Sequence, residues 1–151
     1  MRPINLIVVH CSSSDNPKDD SPEQIKKLHT GNIKTPAIWG KYHINCFGWS
    51  DIGYHYIITK DGQIHTGRPI ERPGSHAKGY NSTSIGVCLT GEKEFTELQF
   101  QSLRKLSKEL ILKHKLSIID IVPHNKLNKG KACPNFDLDQ ALRGKDATDT
   151  L

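Results

Sequence analysis

The chain opens on an apolar, β-branched run, Ile4-Asn5-Leu6-Ile7-Val8-Val9, closed by His10 and Cys11. The run alternates poorly, which suits a central strand buried on both faces. His10 then falls near the C-terminal end of that strand, where α/β sheets place their sites. Residues 12–20 are polar loop. Ser21-Pro22-Glu23-Gln24 is a helix start, with Ser as N-cap, Pro at the first helical position and Gln at the third. That helix ends near Thr30-Gly31. Residues 31–48 form a long connection holding Trp39, Tyr42, His43, Cys46 and Phe47. Its aromatics can line a cleft or pack as a satellite core.

Residues 48–59 lead into a second strand that takes in Tyr54. Asp61-Gly62 between apolar runs marks a hairpin, and Ile64-His65-Thr66-Gly67 is the return strand. Residues 68–83 hold Pro69, Pro73, Gly74 and Gly79 and read as loop. Ser84 to Leu89 is another buried strand. Thr96 with Gln99 forms a capping box, and Phe100, Leu103, Leu106, Leu110 and Ile111 recur at helical spacing to about His114. Ile118 to Val122 is a last strand, feeding straight into His124. A short helix follows Asp137, and residues 144–151 read as a frayed tail. The expected architecture is one α/β domain over residues 1–151: a central mixed β-sheet flanked by helices.

A chain of 151 residues is the size of one domain with a real core. No apolar run approaches the length of a membrane span. The N-terminal run lacks the longer apolar region and cleavage site of a signal peptide. The expectation is synthesis in the cytoplasm without membrane insertion. The four cysteines, Cys11, Cys46, Cys88 and Cys133, are irregularly spaced and read as reduced thiols. No Cys-x-x-Cys motif supports a redox protein. Lys and Arg number 21 against 16 Asp and Glu, a net charge of +5 that favours an anionic partner, nucleic acid or a polyanionic wall. The lysines are scattered, with no aromatic-interleaved basic stripe, so nucleic acid is not expected.

The candidate chemistry lies in Pro123-His124-Asn125-Lys126-Leu127-Asn128-Lys129-Gly130-Lys131-Ala132-Cys133-Pro134. His and Cys are side chains that Zn²⁺ prefers, and the loop can fold back to bring both onto one ion. By itself the pair equally fits a polar loop with a buried thiol. A third ligand must come from elsewhere, and His10 is the best candidate. If the strands before His10 and His124 are neighbours, their C-terminal ends meet and Cys133 can reach both. Three N/S ligands leave a fourth position for water, the catalytic pattern for zinc. Cys11 points away from His10 along the strand and reads as a buried thiol, not a ligand. His55 and His65 read as structural, and His29 and His43 carry no assigned role. His114, near a helix end, reads as a surface residue facing the dipole.

Five motifs in order carry a resemblance. They are His10-Cys11-Ser12, Gly48 through His55, Gly74-Ser75-His76-Ala77-Lys78-Gly79-Tyr80-Asn81, Ser84-Ile85-Gly86-Val87, and His124 with Lys131-Ala132-Cys133-Pro134. Together they resemble the zinc N-acetylmuramoyl-L-alanine amidases, a family that includes the peptidoglycan recognition proteins. The chain looks like the small amidases of short-tailed phages within that family. The resemblance implies one Zn²⁺ on His10, His124 and Cys133, catalytic assistance from Tyr54 and Lys131, and a muropeptide groove lined by His76 and Asn81. It implies peptidoglycan as partner and cleavage of the bond between N-acetylmuramic acid and L-alanine; a monomer is expected. A phage or prophage origin would bring the protein to the wall after release or through a separate membrane-permeabilising (holin) protein. The alternative within this fold is a non-catalytic peptidoglycan-binding module or a regulatory binding protein. The chain departs from the family pattern in an insertion around residues 31–47 and a longer loop before Lys131. Both bear on fine substrate specificity and leave the metal set intact.

Overall fold

The computed structural model describes residues 1–31 and 49–144 in full, and the backbone of residues 36–39 and 42–45. Among the described residues seven strands form: β1 (Leu6–Cys11), β2 (Pro36–Trp39), β3 (Tyr42–Asn45), β4 (Tyr56–Ile58), β5 (Ile64–Thr66), β6 (Ser84–Leu89) and β7 (Ile121–Pro123). The α-helices are α1 (Pro22–Thr30), α2 (Glu97–His114), α3 (His124–Leu127) and α4 (Leu138–Arg143).

Five strands make the main sheet in the order β5-β4-β6-β1-β7. β4, β6, β1 and β7 run parallel, and β5 is the antiparallel edge, so the sheet is mixed as expected. β1 is an interior strand between β6 and β7, buried along nearly its whole length, which is why its sequence lacks clean alternation. Ile7 and Val9 of β1, with Ile85, Val87 and Leu89 of β6, face the larger core, completed by Leu103, Leu106 and Leu110 of α2 and Leu138, Ala141 and Leu142 of α4. The opposite face is thinner. There Cys88 and Ile57 meet Ile25 and Leu28 of α1, and Val8 meets Ala77 and Val122. His10 lies on this thinner side, and the thin cover leaves room for a cleft.

Local signals fix the helix starts. The Ser21 side chain accepts from the Gln24 N–H, with Pro22 opening α1. Thr96 and Gln99 close a reciprocal capping box on α2. The Asp61-Gly62 turn joins β4 to β5, and Gly62 adopts φ +83, a conformation that favours glycine.

Four expectations need correction. The connection at 31–48 contains the antiparallel pair β2–β3, because two short segments rich in β-formers face each other with Trp39 opposite Tyr42. The side chains of Trp39, Tyr42 and His43, all of Cys46 and Phe47, and the tail beyond Gly144 lie outside the described residues. Ile118–Asp120 is a 3₁₀ turn and not strand, held by the Ser117 N–H donating to the Asp120 carboxylate. Ile119 is exposed there, so the apolar run reflects no buried pairing. Tyr54 sits two residues before β4 and not within it. His114 is half-buried with its Nε2 unpartnered, and burial lowers its pKa, which works against a cationic role at the α2 terminus.

Among the described residues, no helix is long and apolar enough to cross a membrane. Cys11, Cys88 and Cys133 are free thiols.

Candidate metal centre

β1 pairs with β7 in parallel, with Val9 opposite Pro123. Their C-terminal ends therefore meet, as the sequence required. His10 is the penultimate residue of β1, and His124 follows β7 directly as the first residue of α3. The ring centroids of His10 and His124 are 4.4 Å apart.

Cys133 returns to this point through a closed loop. The Asn125 N–H donates to the Cys133 carbonyl at 3.0 Å, and the Lys131 N–H donates to the Asn128 carbonyl at 3.1 Å. One ligand atom each from His10, His124 and Cys133 lies within 4.8 Å of the others. Among the described residues this is the one His/Cys/Asp/Glu group with metal-binding spacing.

The ends of the strands explain how the thiol is held. The Ser12 N–H donates to Leu89 on the β6 side of β1, so the Cys11 N–H faces the β7 side. β7 stops opposite Val9, and the Cys11 N–H donates instead to Cys133 Sγ at 2.9 Å. Cys11 itself is buried and stands outside the three-ligand group, as expected. Its thiol nevertheless contacts Cys133, because the 133–135 segment crosses the end of β1.

Electrostatics favour neutral imidazoles here. Burial, then His76, His124 and His29, push His10 well below its ordinary value. Burial and the Lys131 cation lower His124. Burial takes His76 down to about 3, and His29 and His55 to about 4. Neutral imidazole is the form that binds a metal. Contact with the Cys11 thiol, and burial, push the Cys133 thiol up. A cation at the site, together with the Cys11 N–H, would offset this and hold the thiolate. The donor set therefore fits Zn²⁺.

These shifts predict an acid response of the metal-free protein. In the unfolded chain the rings of His29, His55 and His76 protonate near their ordinary value of about 6.5. In the folded chain they resist protonation down to about 3 or 4. Below about pH 6.5 the unfolded state thus binds more protons, so stability is full above that pH and falls as the pH drops. The urea midpoint should decline steadily between about pH 7 and about pH 4. A flat profile over that range would contradict the assigned burial of these rings.

The site forms the floor of an open cleft of about 700 Å³. Tyr54, Lys131, His76 and Asn81 all line it. The Tyr54 ring lies 5.1 Å from the His10 ring, centroid to centroid. Burial and the sulfur atoms of Cys88, Cys133 and Cys11 push its phenol well up, so it stays an O–H donor near neutrality. Lys131 is exposed at the rim. Asn81 Oδ1 accepts from the backbone N–H groups of His76 and Ala77, both at 2.9 Å, which shapes the 75–81 loop.

Two supporting residues escaped the sequence reading. His29 is buried against Trp49 and Tyr54, and its Nδ1 accepts from the Gly53 N–H at 2.9 Å. Its place on the apolar face of α1, four residues after Ile25, was the available signal. Arg68 is buried, donating to the carbonyls of Ile52, Asp51 and Pro73 and to Ser75 Oγ. It joins the segment before Tyr54 to the segment before His76. Gly53 permits that junction: a Cβ there would stand 2.2 Å from the Ser75 carbonyl oxygen.

Comparison with known proteins places the chain in a family. Residues 1–136 match the family model described as N-acetylmuramoyl-L-alanine amidase. An endolysin of Klebsiella phage KP32 is 38% identical over 144 residues, covering 87% of this chain and 81% of that protein. Peptidoglycan-recognition protein 2 of Holotrichia diomphalia is 29% identical over 112 residues, covering 73% of this chain and 50% of its own. The solved structure of N-acetylmuramoyl-L-alanine amidase LysC from Clostridium intestinale URNW superposes with a TM-score of 0.75 at 32% identity, covering 95% of this chain and 88% of LysC. The chain belongs to the N-acetylmuramoyl-L-alanine amidase family.

Proposed function

We propose that this protein hydrolyses the amide bond between N-acetylmuramic acid and L-alanine in peptidoglycan, using one zinc ion held by His10, His124 and Cys133. The observation that carries the reading is the convergence of those three ligand atoms within 4.8 Å on the floor of the cleft. Zinc held by His10, His124 and Cys133 would supply Lewis acidity, polarising a carbonyl and lowering the pKa of water to roughly 7.

The chain's own residues supply the rest. His76 and Asn81 form the cleft wall along which the muropeptide lies. Water adds to the carbonyl carbon, the C–N bond breaks, and the alanine nitrogen leaves as an amine with a proton from that water. Negative charge grows on the carbonyl oxygen as the carbon becomes tetrahedral. Tyr54 offers a phenol O–H toward that oxygen or the attacking water. Lys131, two residues from Cys133, brings a cation to the same region. The protein acts as a monomer on the wall, reached after release or through a separate membrane-permeabilising protein.

Cys133 favours catalysis over recognition alone, because it completes the ligand set. Chelation tests this. Stripping the metal should abolish the release of peptide amines from purified walls, and about one equivalent of zinc per chain should restore it. Undiminished release by the metal-free protein would remove zinc from the mechanism. Wall binding without release in the zinc-loaded protein would make it a recognition module.

A further inference from the structure

We propose that His76 is a positioning residue for the metal centre: it accepts a hydrogen bond from His10 Nε2–H and so fixes the His10 ring with Nδ1 presented to the metal. This rests on the metal reading above. His10 Nε2 lies 2.8 Å from His76 Nδ1. A neutral imidazole carries its proton on one nitrogen and has its lone pair on the other. With Nε2 engaged by His76, the nitrogen left to face His124 and Cys133 is Nδ1.

His76 is built to hold that place. Its backbone N–H is tied to Asn81 Oδ1 at 2.9 Å. Its second ring nitrogen, Nε2, lies 3.2 Å from Ser84 Oγ, and Ser84 is fully buried. The hydrogen bonds then run in one direction, from His10 Nε2–H to His76 Nδ1 and from His76 Nε2–H to Ser84 Oγ. Beneath the ring lies Gly86, where an added Cβ would come within 2.7 Å of the imidazole. Ser84 and Gly86 alternate along β6, so both face the same side of the sheet. β6 pairs with β1 along its length, so the strand beside the ligand's own carries the floor for its support. Outer partners of this type orient metal-binding histidines, and their loss typically costs about 10- to 100-fold in metal affinity. A residue that only lined the groove would leave metal affinity untouched.

The experiment measures zinc affinity without substrate, by competition with a chromophoric chelator. It compares the natural protein with Cys133→Ser, His76→Leu, His76→Asn and Ser84→Ala. His76→Leu should bind zinc roughly 10- to 100-fold more weakly. His76→Asn places a carbonyl oxygen near the position of Nδ1 and should recover most of that loss. Ser84→Ala, a minimal change that keeps the fold if His76→Leu does not, should show a smaller loss. Unchanged affinity in both His76→Leu and Ser84→Ala, while Cys133→Ser loses zinc, overturns the positioning role and leaves the amidase reading standing. An Asn variant as weak as the Leu variant also overturns it, because the hydrogen bond would then not be the cause. A natural protein that binds no zinc overturns both readings.

Discussion

Cys133→Ser is expected to lose most of its zinc and, with it, nearly all wall hydrolysis. The hydroxyl that replaces the thiol is a poor ligand, and it leaves two imidazoles to hold the ion. The loss should exceed the roughly 10- to 100-fold that an outer partner costs, because a direct metal bond is removed. The fold should survive. Cys133 lies at the half-exposed end of a loop, outside the main core formed by α2, α4 and the sheet. Its neighbours Asn125, Asn128 and Ala132 close that loop through backbone hydrogen bonds that do not involve sulfur. Circular dichroism and zinc analysis on one preparation separate the two effects. A Cys133→Ser protein with full zinc and full turnover would show that the ligand assignment is wrong.

The second large effect is expected at Tyr54 and Lys131, and it should leave the metal in place. Neither side chain belongs to the three-atom cluster. Removing one preorganised donor to a developing oxyanion typically lowers turnover on the order of a hundred- to a thousandfold. Tyr54→Phe deletes the O–H alone and keeps the ring packed near His10 and His29. Lys131→Ala removes the cation while the Lys131 N–H still bonds Asn128. Turnover should therefore fall with little change in KM, the mark of groups engaged mainly in the transition state. Lys131 also lowers the His124 pKa, so its loss should let His124 protonate at a higher pH. A Tyr54→Phe enzyme with natural turnover would remove Tyr54 from the mechanism. A zinc-free Lys131→Ala protein would make Lys131 a residue that shapes the site.

The convergence of His10, His124 and Cys133 was legible because each sits beside a strong local signal. His10 closes the most apolar run, His124 follows the last one, and Cys133 ends a loop of matched reach. Helix starts at Ser21, Thr96 and Asp137 were equally local, since capping depends on residues three apart. What pairing decides was not legible. Tyr54 was expected within a strand, yet it stands outside one, held by the Arg68 N–H on its carbonyl and by His29 beside its ring. Ile118-Ile119 resembles a strand start by composition, but no neighbour buries it. The contact of His76 with His10 spans 66 residues and depends on a glycine of a third segment, so no local pattern could announce it.

The proposed role of the His10–His124–Cys133 cluster on the cleft floor is to hold the zinc that serves the muramoyl–alanine bond. Mass spectrometry of purified peptidoglycan after digestion names that bond directly. Intact glycan strands and free stem peptides with an N-terminal alanine are the predicted products, absent from a parallel digest with Cys133→Ser. New reducing sugar ends, or peptides cut between amino acids with the muramoyl–alanine bond intact, would contradict it.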